Sequence, residues 1–465
     1  MSEDLAYTSA TELLSLYRAK KLSPVEVTRA VLDRIERFNS DLNAFCLVDA
    51  EGALKSARES EARWQAGAPK GRIDGVPASI KDIILTKGWP TLRGSKTVDP
   101  KGPWNDDAPA TARLREQGAI ILGKTTTPEF GWKGVTDSPL TGITRNPWKL
   151  DRTPGGSSGG ASAQIAAGLG QLAIGTDGGG SIRIPAGFTG IVGLKPSFGR
   201  VPAWPLSPFG TVAHLGPMAR TVADVALMLN VLAMPDARDW HALPYDGTDW
   251  TQGLDAGIKG LKVAYSPTLG YAKVDPEVAS LAATAAAAFR ELGAHVEEVP
   301  RLFDDPTEVF WIHWLVGAYN ALQALPAEKR GMLEPELLQS VEAGERVTLK
   351  RYLAASNARG QLGLAMKLFH TRYDLLLTPA LAVPAFAVDR LTPDGTVGAF
   401  SWTSWTPFTY PFNLTRQPAA TVPCGFTAAG LPVGLQIVGP SYGDQLVLTA
   451  ARAYEKHQPF KMPRS

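Results

Sequence analysis

Cysteine is almost absent from this chain of 465 residues, which contains two, Cys46 and Cys424. Two cysteines cannot form a disulfide framework, so the fold must depend on an ordinary hydrophobic core. We interpret both as small, buried hydrophobic residues. The composition, 44% hydrophobic and 20% charged, is that of a globular protein.

The sequence also lacks a charge bias and long apolar runs. The formal net charge is +2 and no long run carries one sign, which gives no electrostatic reason to expect nucleic acid or a membrane surface as a partner. No apolar stretch approaches the ~20 residues of a membrane helix. The first five residues have neither the basic nor the apolar region of a secretory signal. We therefore expect a cytoplasmic protein that binds neither nucleic acid nor membrane.

Glycine, by contrast, is abundant, with 46 residues, and two stretches, 153–162 and 175–186, are rich in it. Each stretch contains a serine of interest, Ser157 in the first and Ser181 in the second, 24 residues apart. A flexible loop with an incidental serine explains one such stretch equally well. Two stretches at a fixed spacing, with a lysine upstream, favour a catalytic site.

The second stretch has the pattern of an oxyanion hole. Gly178, Gly179 and Gly180 precede Ser181, and consecutive glycines allow successive backbone N–H groups to face one point, where they bind an anion. Beside a nucleophile, such an array stabilises the oxyanion of acyl transfer. Ser181 is therefore a candidate nucleophile, and the N–H groups of the three glycines and of Ser181 are the candidate oxyanion hole.

A serine nucleophile needs a base, and histidine, the usual one, is scarce here. None of the six histidines lies in a Gly-x-Ser-x-Gly or comparable context; His214, the nearest to the serines, is interpreted as structural. Lysine can act instead when burial lowers its pKa, which from ~10.4 must fall by about 3 units for neutral pH. Lys81 lies within an apolar run. Although such a lysine more often extends to the surface, its context makes it the candidate base.

Lys81, Ser157 and Ser181 with their surroundings resemble the three catalytic blocks of the amidase signature family, hydrolases of carboxylic amides. Further similar segments are 22–27, 119–125, 193–200, 216–222, 411–413 and 430–436. The resemblance implies a Ser-Ser-Lys triad in which Ser181 forms the acyl-enzyme. It implies that Ser157, after a cis peptide bond from Gly156, bridges to Lys81, the neutral base.

The same resemblance carries further expectations. It implies that Gly131, Trp132 and Ser158 bind substrate, with Ser158 also hydrogen-bonded behind the triad. It implies a small-molecule amide as the partner and neither cofactor nor metal, and it allows a homodimer, since members are often dimers. Many members carry a larger residue at the position of Gly178, so we expect an intact oxyanion hole with a looser wall. We interpret Asp177 and Arg183, which flank the loop, as a structural ion pair.

The coarse organisation is α/β. The capping box of 23–26 predicts the start of a helix, and a second helix is predicted from Asp275-Pro276 to Gly293. Predicted strands 261–265 and 295–299 flank that second helix, and such a unit implies a parallel pair. The resemblance implies a large mixed, partly parallel β-sheet sandwiched between layers of α-helices.

We predict a single domain, 1–465, with four regions. These are N-terminal helices (1–70), a catalytic core (71–235), a variable substrate-lining region (259–405) and a C-terminal return to the sheet (406–465).

Residues 118–125 match the phosphate-loop pattern G-x-x-x-x-G-K-[ST]. That motif requires a loop whose N–H groups face phosphate at the start of a helix. The four intervening residues, Ala-Ile-Ile-Leu, are typical of a buried strand. We therefore predict a helix over 110–117, a strand over 119–122 and no nucleotide site.

The substrate is the least determined feature. The segments that line the acyl pocket in this family contain ten aromatics here: Phe130, Trp132, Phe310, Trp311, Trp314, Tyr319, Phe400, Trp402, Trp405 and Phe408. Any single one more often fills a core than contacts a ligand, but the 400–405 cluster, where aromatics alternate with hydroxyls, is less typical of a core. We expect an apolar or aryl amide.

Three alternatives to a stand-alone amidase remain at this stage. The glutaminase (A) subunit of a tRNA-dependent amidotransferase has the same blocks, but it usually carries Ser-Leu-Asp-Gln where this chain has Val212-Ala213-His214-Leu215. A hydrolase of urea-like amides such as allophanate or biuret is the second. A catalytically inactive binding protein is the third, and the intact triad residues argue against it.

Overall fold

The computed structural model describes residues 2–463. Within them the strands are β1 (Phe45–Val48), β2 (Pro77–Lys81), β3 (Ile120–Thr125), β4 (Asp137–Ser138), β5 (Gly142–Ile143), β6 (Leu172–Asp177), β7 (Val192–Lys195), β8 (His214–Ala219), β9 (Lys262–Tyr265), β10 (His295–Glu298), β11 (Leu375–Pro379), β12 (Ala419–Phe426) and β13 (Pro432–Val438). The helices are α1 (Ser2–Tyr7), α2 (Ala10–Arg18), α3 (Pro24–Leu42), α4 (Ala50–Gln65), α5 (Pro109–Glu116), α6 (Gly159–Ala166), α7 (Arg183–Thr189), α8 (Val222–Leu232), α9 (Pro276–Glu291), α10 (Thr307–Leu322), α11 (Ala327–Arg330), α12 (Pro335–Glu345), α13 (Leu349–Phe369), α14 (Pro411–Leu414) and α15 (Asp444–His457).

Eleven of these strands form one mixed sheet, in the order β1-β3-β2-β6-β8-β7-β12-β13-β11-β9-β10. The neighbours β3, β2 and β6 run parallel, as do β11, β9 and β10, while the strands between these groups are antiparallel. This confirms the expected mixed, partly parallel sheet. The strand–helix–strand unit β9–α9–β10 gives the parallel pair predicted from its sequence.

Helices cover both faces of the sheet because side chains along each strand alternate between two cores. Leu375 and Leu377 of β11 join a core that includes side chains of α5, α8, α9 and α15. Leu376, between them, faces a different core that contains residues of α13. On that second face, α3 and α4 cover β3, and α6 packs beside α7.

The local predictions agree with the structure to within a few residues. Ser23 and Glu26 form both bonds of the capping box at the start of α3. Asp275 caps α9, accepting the N–H groups of Glu277 and Val278. The strand predicted at 119–122 is β3, which extends three residues further, to Thr125.

The segment that matches the phosphate-loop pattern is therefore a buried strand and not an anion-binding loop. Gly123 is needed there for packing, since a Cβ at this position would overlap the carbonyl oxygen of Leu47 on β1. Lys124 points into the interior, where its Nζ donates to the carbonyl of Ile84 at 2.9 Å. This geometry excludes a nucleotide site in the segment.

One prediction about the cysteines is wrong. Cys424 is buried, but Cys46 is exposed, because β1 is an edge strand of the sheet. Among residues 2–463, no helix combines the length and the apolar character needed to cross a membrane. The division of the chain into four regions stays a prediction.

Gly123→Ala should destabilise the protein by about 2 kcal/mol or more, because the methyl group would force β3 away from β1. Chemical denaturation measures this change. The matched control is Gly360→Ala, on an exposed face of α13 with open space around it. Alanine should stabilise the helix there by about 0.5–1 kcal/mol. Equal stability of Gly123→Ala and wild type would contradict the packing argument.

Candidate active site

The candidate residues meet at one edge of the sheet because β2 and β6 are parallel neighbours. Their carboxyl ends lie side by side, which places Lys81, the last residue of β2, next to Thr176 and Asp177 at the end of β6. Ser181 follows β6 directly before α7, and Ser157 lies just before α6. This edge of the sheet is the usual position of sites in α/β folds.

Lys81 is surrounded by hydroxyl groups. Its Nζ is 2.7 Å from Oγ of Ser157, 3.0 Å from Oγ of Ser158 and 2.9 Å from Oγ1 of Thr176, and the side chain is fully buried. Burial lowers the pKa of Lys81 well below its ordinary value, and the attraction of Asp177 only partly opposes this. A neutral amine donates two protons and accepts one, which three hydroxyl partners satisfy.

The two serines of the first stretch have different partners. The peptide bond between Gly156 and Ser157 is cis, as the resemblance implies. Ser158 lies behind Lys81: its hydroxyl donates to the carbonyl of Thr176 at 3.1 Å, and its N–H donates to the carbonyl of Ser181 at 3.1 Å. Ser158 therefore connects both stretches, and its contacts are with the protein, whereas Ser157 also lines the pocket described below.

The loop before Ser181 is held by a buried ion pair. Nε and Nη2 of Arg183 donate to the two carboxylate oxygens of Asp177 at 3.0 and 2.9 Å. Burial alone would raise the pKa of Asp177, but the guanidinium of Arg183 holds it below its ordinary value. The structural ion pair interpreted from the sequence is confirmed.

The predicted oxyanion hole needs one correction. The N–H group of Gly180 donates to Oδ1 of Asp177 at 2.8 Å, so it does not face the pocket. The N–H groups of Gly178, Gly179 and Ser181 have no partner among residues 2–463. Three of the four predicted donors therefore remain free within the described range, and the fourth fixes the conformation of the loop. Gly178 and Ser181 line the pocket described below, whereas Gly179 is not part of its lining.

The expected looser wall at Gly178 is also wrong. A Cβ at Gly178 would lie 2.9 Å from Cζ3 of Trp314 on α10, and one at Gly179 would lie 2.8 Å from Cζ of Phe310 and 3.0 Å from Cη2 of Trp402. Aromatic rings therefore occupy the space that a larger residue at 178 would fill. The two glycines therefore lack side chains where large aromatic side chains from other parts of the chain pack against the loop.

Ser157 and Ser181 open into a pocket of about 440 Å³. Gly131, predicted to bind substrate, lines this pocket, and a Cβ there would stand 3.2 Å from Oγ of Ser157. Trp132, predicted with it, is not part of the lining. Its ring is buried in the core and its Nε1 donates to Glu334, so it supports the wall from behind.

Most of the singled-out aromatics are core residues. Phe130 and Trp314 line the pocket. Trp402 and Trp405, expected to be less core-like, are 2% exposed, and Trp405 stacks on Phe188 with 5.5 Å between ring centroids. Sequence analysis missed three other lining aromatics, Phe198, Trp204 and Phe209. The signal available for them was the aromatic and proline-rich run between β7 and β8.

His214, interpreted from the sequence as structural, is the first residue of β8 and lines the pocket. Its Nδ1 is 2.8 Å from the carbonyl of Val212 and 3.3 Å from that of Asp177, which fixes the proton on Nδ1. Burial, with the nearby charge of Lys195, lowers the pKa of His214 well below its ordinary value. Within 2–463, no group of three or more His, Cys, Asp or Glu side chains is arranged to hold a metal ion.

The model of the amidase family matches residues 26–448 of this sequence. The chain belongs to the amidase family. It is 40% identical over 464 residues to an acylamidase of Rhodococcus erythropolis, covering 98% of this chain and 97% of that protein. It is 35% identical over 489 residues to the A subunit of the glutamyl-tRNA(Gln) amidotransferase of Geobacter sp. (strain M21), covering 98% of each.

The fold agrees with this membership. The crystal structure of a bacterial aryl acylamidase of the amidase signature family superposes with a TM-score of 0.89 and 32% identity, covering 97% of this amidase and 96% of that chain. Since an acylamidase and an amidotransferase subunit each match 98% of the chain, overall similarity does not decide between these two activities, and the pocket has to be compared.

Gly178→Ala should lower kcat by about 10- to 100-fold, since the methyl group would displace either Trp314 or the loop N–H groups. Steady-state kinetics on any amide that is hydrolysed measures this. Adding Trp314→Leu should restore part of the loss by making room.

Gly187→Ala is the control for this series, because a Cβ on this α7 glycine meets its nearest neighbour, Leu381, at an ordinary 3.4 Å. It should leave kcat unchanged. An unchanged kcat in Gly178→Ala would show that the ring contact does not matter.

Proposed function

We propose that this protein is a stand-alone amidase that hydrolyses an apolar or aryl carboxylic amide to an acid and ammonia or an amine. The observation that carries the proposal is the fully buried Lys81, 2.7 Å from Oγ of Ser157, at a pocket that also contains Ser181. A buried lysine of lowered pKa is a base at neutral pH, and a base next to serine hydroxyls is what acyl transfer requires.

In this mechanism, Ser181 attacks the amide carbon while its proton passes through Ser157 to neutral Lys81. The N–H groups of Gly178, Gly179 and Ser181 stabilise the oxyanion that forms. Ser157 then delivers the proton to the leaving nitrogen, and the C–N bond breaks. Water, activated along the same route, hydrolyses the ester of Ser181 and releases the acid.

The lining of the pocket supports an apolar acyl or aryl group. Its walls are mainly aliphatic and aromatic: Ile83, Ile84, Leu85, Phe130, Val201, Trp204, Leu206, Phe209 and Trp314. Apolar walls around a few placed polar groups are typical of sites for apolar ligands. Small polar substrates of the urea type would leave these apolar walls in contact with water. We therefore consider urea-like amides a less favoured substrate class than apolar or aryl amides.

A role as a glutaminase subunit is disfavoured by the carboxylates of the pocket. Glutamine carries an α-ammonium group, which a carboxylate free of other partners would bind best. Asp177 is paired with Arg183, and Asp239 accepts the N–H groups of Ala203 and His241, both at 2.8 Å. A homodimer and a cytoplasmic location stay predictions.

Ser181→Ala should reduce amide hydrolysis by at least about 10⁴-fold, because the variant lacks the hydroxyl that is proposed to form the acyl-enzyme. Release of ammonia or amine from a panel of aryl, alkyl, ureido and glutamine amides measures this and identifies the substrate class. Ser162→Ala, in the same glycine-rich stretch as Ser157 with its hydroxyl bonded to Gly159, should stay within about twofold of wild type. Undiminished hydrolysis by Ser181→Ala would refute the assignment.

The rate should fall in acid. Because the pKa of Lys81 is lowered, the amine is neutral and active above that pKa, and kcat/KM is expected to decline with a slope of one as the pH falls through it. His214 also lines the pocket, and its pKa is lowered from the ordinary histidine value, so it could produce an acid limb of its own. The acid limb should persist unchanged in His214→Asn, which keeps a side-chain N–H donor. Loss of the limb in that variant would assign it to His214.

A further inference from the structure

Each charged side chain that lines the pocket, apart from Arg93, has hydrogen-bond partners among residues 2–463. Asp177 is bonded to Arg183 and Asp239 to backbone N–H groups. Arg93 also lines the pocket, is half-buried, and its guanidinium has neither an ion pair nor a hydrogen bond with any of residues 2–463.

The nearest carboxylate does not neutralise Arg93. Asp82 attracts the guanidinium, but its Oδ1 is 3.3 Å from Nζ of Lys124, and both of these side chains are almost fully buried. Asp82 also accepts the backbone N–H groups of Leu92 and Gly94. Since Asp82 and Lys124 balance each other and arginine stays protonated, the positive charge of Arg93 is available to a ligand in the pocket.

The backbone gives independent support. Arg93 has φ 56° and Phe130 φ 51°, the left-handed conformation that side chains disfavour. The two are joined by a bond of 2.8 Å from the N–H of Phe130 to the carbonyl of Arg93, and both line the pocket. Glycine would adopt this conformation freely. Residues in this conformation persist only where the surrounding structure holds them, and they cluster at functional sites.

We infer that Arg93 is an anion subsite of the pocket and that the substrate is an amide with an apolar body and a carboxylate. The inference rests on the proposed amidase function. A guanidinium binds a carboxylate through two parallel N–H···O bonds, and the apolar neighbours Ile83, Ile84 and Phe130 fit the body of such a ligand. The carboxylate can belong to the acyl part, as in a half-amide of a dicarboxylic acid, or to the amine part, as in an acylated amino acid.

Two matched substrate pairs test the subsite and separate these sources. For the amine side, para-acetamidobenzoate is compared with para-methylacetanilide; for the acyl side, glutaric acid monoanilide is compared with valeranilide. Wild type should show at least about tenfold higher kcat/KM for the carboxylate in one of the pairs. Arg93→Gln should lower kcat/KM for that carboxylate substrate by about 10- to 100-fold. It should lower kcat/KM for the neutral substrate of the same pair by less than about twofold.

Three further variants make the result decisive. Arg93→Gly relieves the left-handed backbone and should behave like Arg93→Gln, while Arg93→Lys should keep part of the preference. Arg416→Gln removes another left-handed arginine (φ 65°), an exposed one outside the lining, and should change neither rate. The inference would be overturned if Arg93→Gln lowered kcat/KM equally for the charged and the neutral substrate of a pair. It would also be overturned if the wild type preferred neither carboxylate substrate over its neutral counterpart.

Failure of the subsite and failure of the amidase function are distinguishable. Hydrolysis of the neutral anilides, abolished by Ser181→Ala, tests the amidase function whatever the carboxylates do. If no anilide is hydrolysed, titration calorimetry with para-toluate still tests Arg93. Binding that weakens about tenfold or more in Arg93→Gln supports the subsite, and binding that is absent or unchanged refutes it.

Discussion

The candidate site depends on the buried ion pair between Asp177 and Arg183. Both side chains are inaccessible to solvent, and a carboxylate in such a position is tolerated only with complete pairing. Arg183 provides this pairing and also donates to Gln436 on β13 at 2.7 Å and to Asn413 on α14 at 2.6 Å. The loop between the two charges is thereby anchored to elements that follow it by more than two hundred residues.

This anchoring fixes the loop in a conformation that leaves three of its N–H groups without a partner among residues 2–463. The carboxylate of Asp177 accepts the N–H groups of Gly180 and Ile182, and the N–H groups of Gly178, Gly179 and Ser181 are left unpaired within the described part of the chain. The aromatic rings packed against Gly178 and Gly179 leave no room for the loop to move toward them. Preorganised donors of this kind need no rearrangement when charge develops during a reaction.

The sequence predicted the fold class, the capping of α3 and α9, and the meeting of Lys81 with Ser157, because these follow from local patterns and from a resemblance carried by contiguous motifs. It did not predict features that depend on which distant side chain fills a space. The burial of Trp132 against Glu334 and the contact of Trp314 with Gly178 join segments far apart in the chain. The use of the Gly180 N–H by Asp177 required the actual loop conformation, and the exposure of Cys46 required knowing that β1 is an edge strand.

The contact between Gly178 and Trp314 also links the evolution of two distant parts of the chain. The residues proposed for chemistry lie between Lys81 and Ser181, whereas the ring behind the loop comes from α10. A side chain at position 178 requires a smaller residue than tryptophan at position 314, because the two would otherwise overlap. A smaller residue at 314 in turn makes room for a side chain at 178. These two positions should therefore drift together among descendants of this chain, so that diversification of substrate range proceeds by paired steps rather than single ones.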